Sequence, residues 1–179
     1  MNRNFNVPES TAVAEHFKTH FDRPREMSDT LFFESHLYFI TARFDVPLAG
    51  QLNEFGKVYY HVSKQLFGNR LGKKRKRQPL CYAFVDADAS RTGRSDMFNC
   101  QWPHIHSVIL APPTHSVVFR EAIRNLPPAV TLSAKTFEVV PFNASKGSVD
   151  GLVSYCSKGC RQAASSHKLQ QDLWTVFPR

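Results

Sequence analysis

The sequence lacks a long apolar run and contains few cysteines. A membrane-spanning helix needs about 18 or more consecutive apolar residues, and no stretch of this chain reaches that length. The chain has four cysteines among 179 residues: Cys81, Cys100, Cys156 and Cys160. Disulfides form in secreted proteins and are rare in reducing compartments. Because the sequence has no recognisable secretory leader, we expect an intracellular protein with reduced thiols and no membrane partner.

Acidic residues are scarcer than basic ones: 15 Asp and Glu against 23 Lys and Arg give a formal net charge of +8. Such an excess of positive charge favours binding to nucleic-acid phosphates, although solvated loops and nuclear-localisation signals have similar composition. Phosphate contacts position a protein and base contacts give specificity, so charge alone predicts no preferred sequence. Five of the cations are consecutive: Lys73, Lys74, Arg75, Lys76 and Arg77.

The spacing of apolar residues predicts one α+β domain. Apolar residues three and four apart from Leu48 to Leu66 indicate an amphipathic helix that lies on a sheet. The predicted order β, α, β, β, α, β, α is typical of a central antiparallel sheet of about five strands with helices on one face. Residues 1–30 are interpreted as an extension, with a helix from Glu9 to Phe21, packed on a domain of residues 31–179. The segment from Leu31 to Phe44 contains the first predicted strand. The remaining predicted elements are strands at Pro79 to Asp88, Trp102 to Ala111 and Val130 to Val140, and helices at His115 to Leu126 and Ser148 to Gly159.

The segment from Pro103 to Leu110 predicts a buried strand that carries two histidines on one face. Successive side chains of a strand alternate between faces, so His104 and His106 project from the same side, about 6.6 Å apart. The apolar residues around them indicate burial in a sheet, which would hold the imidazoles as a rigid pair. Two such imidazoles can bind one metal cation. Two surface histidines on an edge strand are the alternative.

About fifty residues later, a predicted helix carries Tyr155 and Lys158. Residues three apart share a helix face, so both side chains can point toward one target. A free phenol has a pKa of about 10, and a nearby ammonium favours the phenolate and can also bind a phosphate oxygen. Ser148 is the predicted N-cap, and Asp150 in the first turn suits the helix dipole. The alternative is a Tyr and a Lys on a solvated helix.

The ordered combination of these motifs resembles the HUH endonucleases, in particular the single-tyrosine initiators of rolling-circle replication. The resemblance covers residues 37 to 158. A first strand with a polar residue near its end, here Leu37 to Phe44 with Thr41, precedes the His-hydrophobe-His strand and the Tyr-x-x-Lys helix. The resemblance implies an RRM-like or ferredoxin-like fold, with the histidines on a central strand and the tyrosine on a flanking helix.

The resemblance implies a metal-dependent enzyme that nicks and joins single-stranded DNA. The histidines and a third polar residue would bind Mg²⁺ or Mn²⁺, and Tyr155 would attack the scissile phosphate to form a 5′-phosphotyrosyl bond. The implied partner is single-stranded DNA at an origin or nick site, with hairpin DNA and a host helicase as candidate further partners. The implied compartment is the cytoplasm of a bacterial host, or the nucleus for a eukaryotic virus. Replication initiation is the favoured role, and a relaxase or transposase of the same superfamily is the nearest alternative.

The third metal ligand departs from the family pattern. The family often places a Glu on the strand before the histidines, and the segment from Leu80 to Asp88 contains none. Asp86 and Asp88 share one face of that strand, and either can reach a metal if the strand pairs with the histidine strand. Asp96 lies in a stretch rich in turn-forming residues. We favour Asp86 or Asp88 over Asp96.

The cysteines offer a competing metal site. Cys156 and Cys160 lie four residues apart on the predicted helix, so they could join His104 and His106 around a tetrahedral zinc ion. The spacing is not that of a zinc finger. Isolated buried thiols are the other explanation for Cys81 and Cys156.

The alternative function is a catalytically silent RRM-like module that only binds nucleic acid. Such a module has no need of a helix tyrosine opposite two strand histidines, so replacing Tyr155 by Phe would leave it unaffected. For either function, Arg43 and its neighbour Phe44 are the candidate DNA contacts at the end of the first strand.

Overall fold

The structure is a computed structural model that describes residues 7–69, 71–87, 103–131, 133–165 and 173–178. The strands in these ranges are β1 (Leu37–Phe44), β2 (Leu80–Ala87), β3 (Pro103–Leu110), β4 (Ala134–Pro141) and β5 (Trp174–Phe177). The α-helices are α1 (Ser10–His20), α2 (Asp29–His36), α3 (Leu48–Phe67), α4 (Ser116–Arg124), α5 (Pro128–Thr131), α6 (Val149–Cys156) and α7 (Lys158–Ser165). The strands form one antiparallel sheet in the spatial order β4-β1-β3-β2-β5. The predicted α+β class is confirmed.

The histidine strand β3 is the centre of the sheet, between β1 and β2. Its side chains are buried on both faces: Ile105 and Ile109 point to one side, and Val108 and Leu110 point to the other. A strand buried on both faces is apolar at successive positions rather than at alternate ones. This explains the nearly continuous apolar sequence after His106.

Helices cover both faces of the sheet. Cys81 and Tyr82 are neighbours on β2 and therefore point to opposite faces. Phe177, which pairs with Cys81, stacks on Tyr59 of α3 at 4.6 Å between ring centroids. Tyr82 packs instead against Phe17 of α1, with ring centroids 5.6 Å apart. The expectation of helices on one face only is wrong, because the two apolar faces of β3 each need a covering layer.

The amphipathic helix predicted from Leu48 to Leu66 is confirmed as α3. Its buried apolar residues recur at three- and four-residue steps. It ends at Gly68, whose φ of +64° lies in the left-handed region, which glycine adopts without steric cost. The N–H of Gly68 donates to the carbonyl oxygen of Lys64 at 2.7 Å. None of the helices in the described ranges is long and apolar enough to cross a membrane.

The strand predicted from Val130 begins four residues later than expected. Pro128 opens the short helix α5, because a proline at the first helical position has the required φ and lacks an N–H that would be unpaired there. The chain then returns to the sheet, where Ser133 accepts a hydrogen bond from the backbone N–H of Asp45. Strand β4 follows from Ala134.

The tyrosine helix begins as predicted and is interrupted before its predicted end. The side chain of Ser148 accepts a hydrogen bond from the N–H of Gly151 at 3.1 Å, so the predicted N-cap is confirmed. The buried hydroxyl of Ser157 donates to the carbonyl oxygen of Val153 at 2.8 Å. Such side-chain bonding to the preceding turn bends helices. The chain divides here into α6 and α7.

The N-terminal helix α1 packs on the sheet and against α6. Its bounds, Ser10–His20, lie within the predicted helix. Val13 and Phe17 are fully buried, and the Nδ1 atom of His16 lies 2.7 Å from the hydroxyl of Tyr82. The helix therefore supplies part of the core on the same face of the sheet as α6.

Candidate metal centre and nucleophile

Asp86, His104 and His106 converge at one end of the sheet. Asp86 of β2 lies directly opposite His104 of β3 in the antiparallel register, and His106 lies two residues further along β3 on the same face. One potential ligand atom from each residue lies within 4.8 Å of the other two. The group could hold a metal ion, as the sequence predicted for the two histidines and Asp86.

The distances within this group suit a shared cation. The Nε2 atoms of His104 and His106 are 3.0 Å apart, and His106 Nε2 is 3.7 Å from Asp86 Oδ2. Two neighbouring ligands at about 2.1 Å from an octahedral cation are about 3.0 Å from each other. Two imidazole nitrogens at this separation repel unless a proton or a cation lies between their lone pairs. The donor set therefore fits a divalent metal.

Asp86, His104 and His106, which we call the metal-binding group because they could hold an ion, are largely withdrawn from water. Asp86 and His106 are each 5% exposed, whereas His104 is half-buried. Burying a carboxylate is costly unless positive charge or hydrogen-bond donors compensate it. The two neighbouring imidazoles, or a cation shared with them, would supply this compensation for Asp86.

Thr41 orients His106 from the neighbouring strand. The two residues are direct partners in the β1-β3 register, and Thr41 Oγ1 lies 3.4 Å from His106 Nδ1. With Nδ1 turned toward the hydroxyl, Nε2 faces His104 and Asp86. A second partner on the other ring nitrogen is the usual way in which a metal-binding histidine is held in place.

Tyr155 lies beside the metal-binding group. Its ring centroid is 5.2 Å from that of His106 and 6.1 Å from that of Phe39. Phe39 itself stacks on His106, with centroids 5.4 Å apart and an interplanar angle of 27°. Tyr155 is 47% exposed to solvent.

Two fully buried residues, Val153 and Cys156, anchor α6 to the sheet. Burial, followed by the nearby carboxylate of Asp86, raises the pKa of the Cys156 thiol well above its usual value. Cys156 is therefore a neutral packing residue. Tyr155 precedes it and points away from the core.

The competing zinc site is wrong. Burial also raises the pKa of Cys160, to about 12, and its thiol lies 3.4 Å from the carbonyl oxygen of Val85 and 3.1 Å from that of Leu173. In the described part of the chain, neither Cys156 nor Cys160 belongs to a group of convergent metal ligands. The cause is the break between α6 and α7, together with the packing of both thiols into the core.

The break between α6 and α7 lies between Tyr155 and Lys158, which the sequence predicted on one continuous helix. Lys158 is the first residue of α7, beyond the break at Ser157, and it is exposed. Among the described residues, no hydrogen bond or ring contact joins Lys158 to Tyr155. The pairing of these two side chains stays a prediction.

The basic run lies far from the metal-binding group. Lys73 to Arg77 fall in a short 3₁₀ helix, Leu71–Arg77, which precedes the start of β2. Asp86 is six residues beyond Leu80 on the same strand, and a strand rises about 3.4 Å per residue, so about 20 Å separates the two regions. Two of the cations have intramolecular contacts: Lys74 lies over the Phe67 ring, and Arg75 donates to the carbonyl oxygen of Pro178 at 3.2 Å.

Arg43 lies at the same end of the sheet as the metal-binding group. It follows Thr41 by two residues on β1 and therefore points to the same face. It is half-buried and stands opposite Thr136 of β4. Its neighbour Phe44 points to the other face and is buried, so Phe44 is a core residue.

Asp88 and Asp96, the other candidate third ligands, lie outside the described residues. Asp86 is the candidate that the structure brings to the histidines. Sequence reasoning missed Phe39 as part of the site. Strand alternation places Phe39 on the same face as Thr41, but its contacts with His106 and Tyr155 depend on the packing of three elements.

No protein-family model, curated protein or solved structure matches this chain. The resemblance to HUH endonucleases therefore depends on the motifs themselves. The metal-binding group and the adjacent tyrosine carry the functional argument.

Proposed function

We propose that this protein is a metal-dependent endonuclease and strand transferase of the HUH type, which acts on single-stranded DNA through Tyr155. The observation that carries the proposal is the position of the Tyr155 ring, 5.2 Å from a histidine that belongs to a group of three potential metal ligands. A half-exposed phenol beside an Asp-His-His group with two buried members has the two components that metal-assisted transesterification needs.

Asp86, His104 and His106 are the proposed metal ligands. Carboxylate oxygen suits Mg²⁺ and Mn²⁺, and imidazole nitrogen is a softer donor, so two histidines favour Mn²⁺ over Mg²⁺. A divalent cation bound here would polarise the phosphoryl oxygens of the substrate. The buried position of Asp86 and His106 keeps these donors rigid and excludes water from one side.

Tyr155 supplies the nucleophile in this proposal. Its phenolic oxygen forms a bond to phosphorus while the bond from phosphorus to the 3′-oxygen breaks. The phenolic proton passes to water at this half-exposed position, and the departing 3′-oxygen takes up a proton from water. A 5′-phosphotyrosyl linkage and a 3′-hydroxyl result, and attack by a 3′-hydroxyl in the reverse direction joins strands.

Several features support single-stranded DNA as the substrate. The half-exposed ring of Tyr155 offers a surface on which an unpaired base can stack. Arg43, at the same end of that face, is the candidate contact for a nearby phosphate. The net charge of +8 favours a polyanionic partner.

Initiation of rolling-circle replication is the proposed role, because the order of motifs resembles that of the single-tyrosine initiators. Hairpin DNA at an origin and a host helicase would then be partners, with Mg²⁺ or Mn²⁺ as cofactor. The same chemistry would serve a relaxase or a transposase.

The test is the formation of a covalent protein-DNA adduct. Purified protein is incubated with Mn²⁺ and a labelled pool of single-stranded origin sequences, and the products are resolved on a denaturing gel. We expect an adduct that is lost with a chelator and in Tyr155→Phe. Tyr60→Phe is the matched control, because Tyr60 is 58% exposed and lies on α3, on the opposite face of the sheet.

The alternative is an RRM-like module that binds nucleic acid without chemistry. Salt-sensitive DNA binding that is equal in the wild type and Tyr155→Phe, with no adduct for any origin sequence, would replace the nuclease proposal with this one.

A further inference from the structure

We propose that Phe39 is a positioning residue that holds the His106 imidazole and the Tyr155 ring in their working arrangement. The inference rests on the proposed function, in which these two residues are a metal ligand and the nucleophile. Neither the HUH motifs nor the chemistry of the metal ligands assigns a role to Phe39.

Phe39 lies where three elements meet. It belongs to β1, His106 belongs to β3, and Tyr155 belongs to α6. The three ring centroids form a closed triangle: 5.4 Å from Phe39 to His106, 6.1 Å from Phe39 to Tyr155 and 5.2 Å from His106 to Tyr155. Each ring therefore contacts both of the others.

The two contacts of Phe39 have different geometries. Its ring is nearly parallel to the imidazole, at 27°, and nearly perpendicular to the phenol, at 70°. Offset stacking and edge-to-face packing are the two arrangements that aromatic quadrupoles favour. One flat ring thus restrains the plane of His106 and the approach of Tyr155.

This restraint complements the hydrogen bond from β1. Thr41 fixes the direction of His106 Nδ1, whereas stacking fixes the plane in which Nε2 points. Tyr155 is 47% exposed, so its orientation depends on the two rings beside it. An aliphatic side chain of similar volume would fill the space without providing a flat face.

The experiment compares Phe39→Leu, Phe39→Tyr and Phe137→Leu with the wild type. Phe137→Leu is the matched control, because Phe137 is a half-buried phenylalanine on β4 whose partner, Ala42, faces the opposite side of the sheet. The Kd for Mn²⁺ is measured by titration calorimetry on protein without DNA. Adduct formation then gives the single-turnover rate at saturating Mn²⁺ and the DNA concentration at half-saturation.

We expect Phe39→Leu to weaken Mn²⁺ binding about 3- to 10-fold, in line with the strength of an aromatic pair. It should also slow adduct formation at saturating metal, with little change in the half-saturating DNA concentration. Phe39→Tyr keeps the ring and should restore both values to within about 2-fold. Phe137→Leu should lower the Tm without changing either value.

Equal Mn²⁺ affinity and equal adduct rates in Phe39→Leu and the wild type would overturn the inference. So would an unchanged Kd for Mn²⁺ combined with a raised half-saturating DNA concentration, because Phe39 would then be a base contact. The proposed function fails separately, if wild-type protein binds Mn²⁺ but forms no adduct, and the calorimetric comparison still tests the Phe39-His106 contact. Wild-type protein that binds no Mn²⁺ would overturn both.

Discussion

Thr41 and His106 join the first strand to the metal-binding group: they are direct register partners, and Thr41 Oγ1 lies 3.4 Å from His106 Nδ1. The opposite ring nitrogen, Nε2, lies 3.0 Å from His104 Nε2 and 3.7 Å from Asp86 Oδ2. Thr41 on β1 therefore helps to set the direction in which His106 Nε2 points toward Asp86 on β2 and His104 on β3. This is a physical role for the polar residue of the first-strand motif.

Replacing Thr41 by Val should weaken Mn²⁺ binding by about tenfold or more, the usual cost of losing the outer partner of a metal-binding histidine. Val has nearly the same shape, so the change in Tm should be small by comparison. Titration calorimetry of the wild type and the variant measures the effect. Thr136→Val, an exposed change on β4, is the control. Equal weakening in both variants would count against a specific Thr41-His106 contact.

The carboxylate of Asp86 should be essential for metal binding. At a concentration of about 100 times its Kd, Mn²⁺ should stabilise the wild type by about 2.7 kcal/mol, which corresponds to a rise in Tm of about 5 to 10 °C. Asp86→Asn keeps the shape and removes the charge, so the rise should largely disappear. Thermal unfolding with and without Mn²⁺ measures it.

Glu138→Gln provides the control for this change. Glu138 is exposed on β4 and stands opposite Thr41 on the same face of the sheet, so the variant removes a nearby carboxylate that lies outside the group of convergent ligands. We expect it to retain the full rise in Tm. If Asp86→Asn also retains it, Asp86 is not a metal ligand.

The sequence predicted the metal-binding group better than its surroundings, because strand geometry is simple. The two-residue period of a strand is enough to place His104 and His106 on one face. The same period made Asp86 a candidate, and the pairing of β2 with β3 brought it to the histidines. Asp86 could not be chosen from sequence alone, since Asp88 is predicted to point to the same face of the strand.

Features that depend on tertiary packing could not be predicted. The break between α6 and α7 is one such feature, because it depends on a buried hydroxyl, that of Ser157, which bonds to the preceding turn. The role of Phe39 depends on three elements meeting, which no local pattern encodes. The basic run and Asp86 are close in sequence but lie at opposite ends of β2. Their separation in space therefore depends on the extended path of that strand.

Stability should fall as the solution becomes acidic. Burial lowers the pKa of His36 and of His20 below the ordinary value of 6.5, so the unfolded chain binds protons at a pH where the folded chain does not. The neutral, buried forms of His36 and His20 therefore contribute fully to the free energy of unfolding above about pH 6.5. This contribution is lost as the pH falls through the lower pKa values of the folded protein. The Tm should therefore decline below pH 6.5.

His36→Phe tests this pH dependence. Phenylalanine can keep the ring contact with Phe32, whose centroid lies 5.1 Å from that of His36, and it cannot bind a proton. The difference in Tm between the variant and the wild type should shift in favour of the variant as the pH falls from 7 to 5. A difference in Tm that stays constant over this range would contradict the assignment.

The basic run should contribute affinity for DNA and not chemistry, because about 20 Å of strand separates it from Asp86. Each phosphate contact adds about 0.7 to the slope of log affinity against log salt for a single strand. Neutralising three exposed cations that have no contacts with Phe67 or Pro178 should thus lower affinity and reduce the slope by about 2. The adduct rate at saturating DNA should not change. The substitutions are Lys73→Gln, Lys76→Gln and Arg77→Gln.

A second triple variant with the same loss of charge distinguishes phosphate contacts made by the basic run from an effect of net charge alone. It neutralises exposed cations on other surfaces: Arg25→Gln, Lys135→Gln and Lys146→Gln. If the run contacts phosphates, only the first variant reduces the slope of log affinity against log salt. We expect this reduction with long single strands and not with an oligonucleotide that covers only the nick site. Equal slopes in the two variants would mean that the run acts only through net charge. A slower adduct rate at saturation would mean that its cations reach the scissile phosphate, which the separation along β2 argues against.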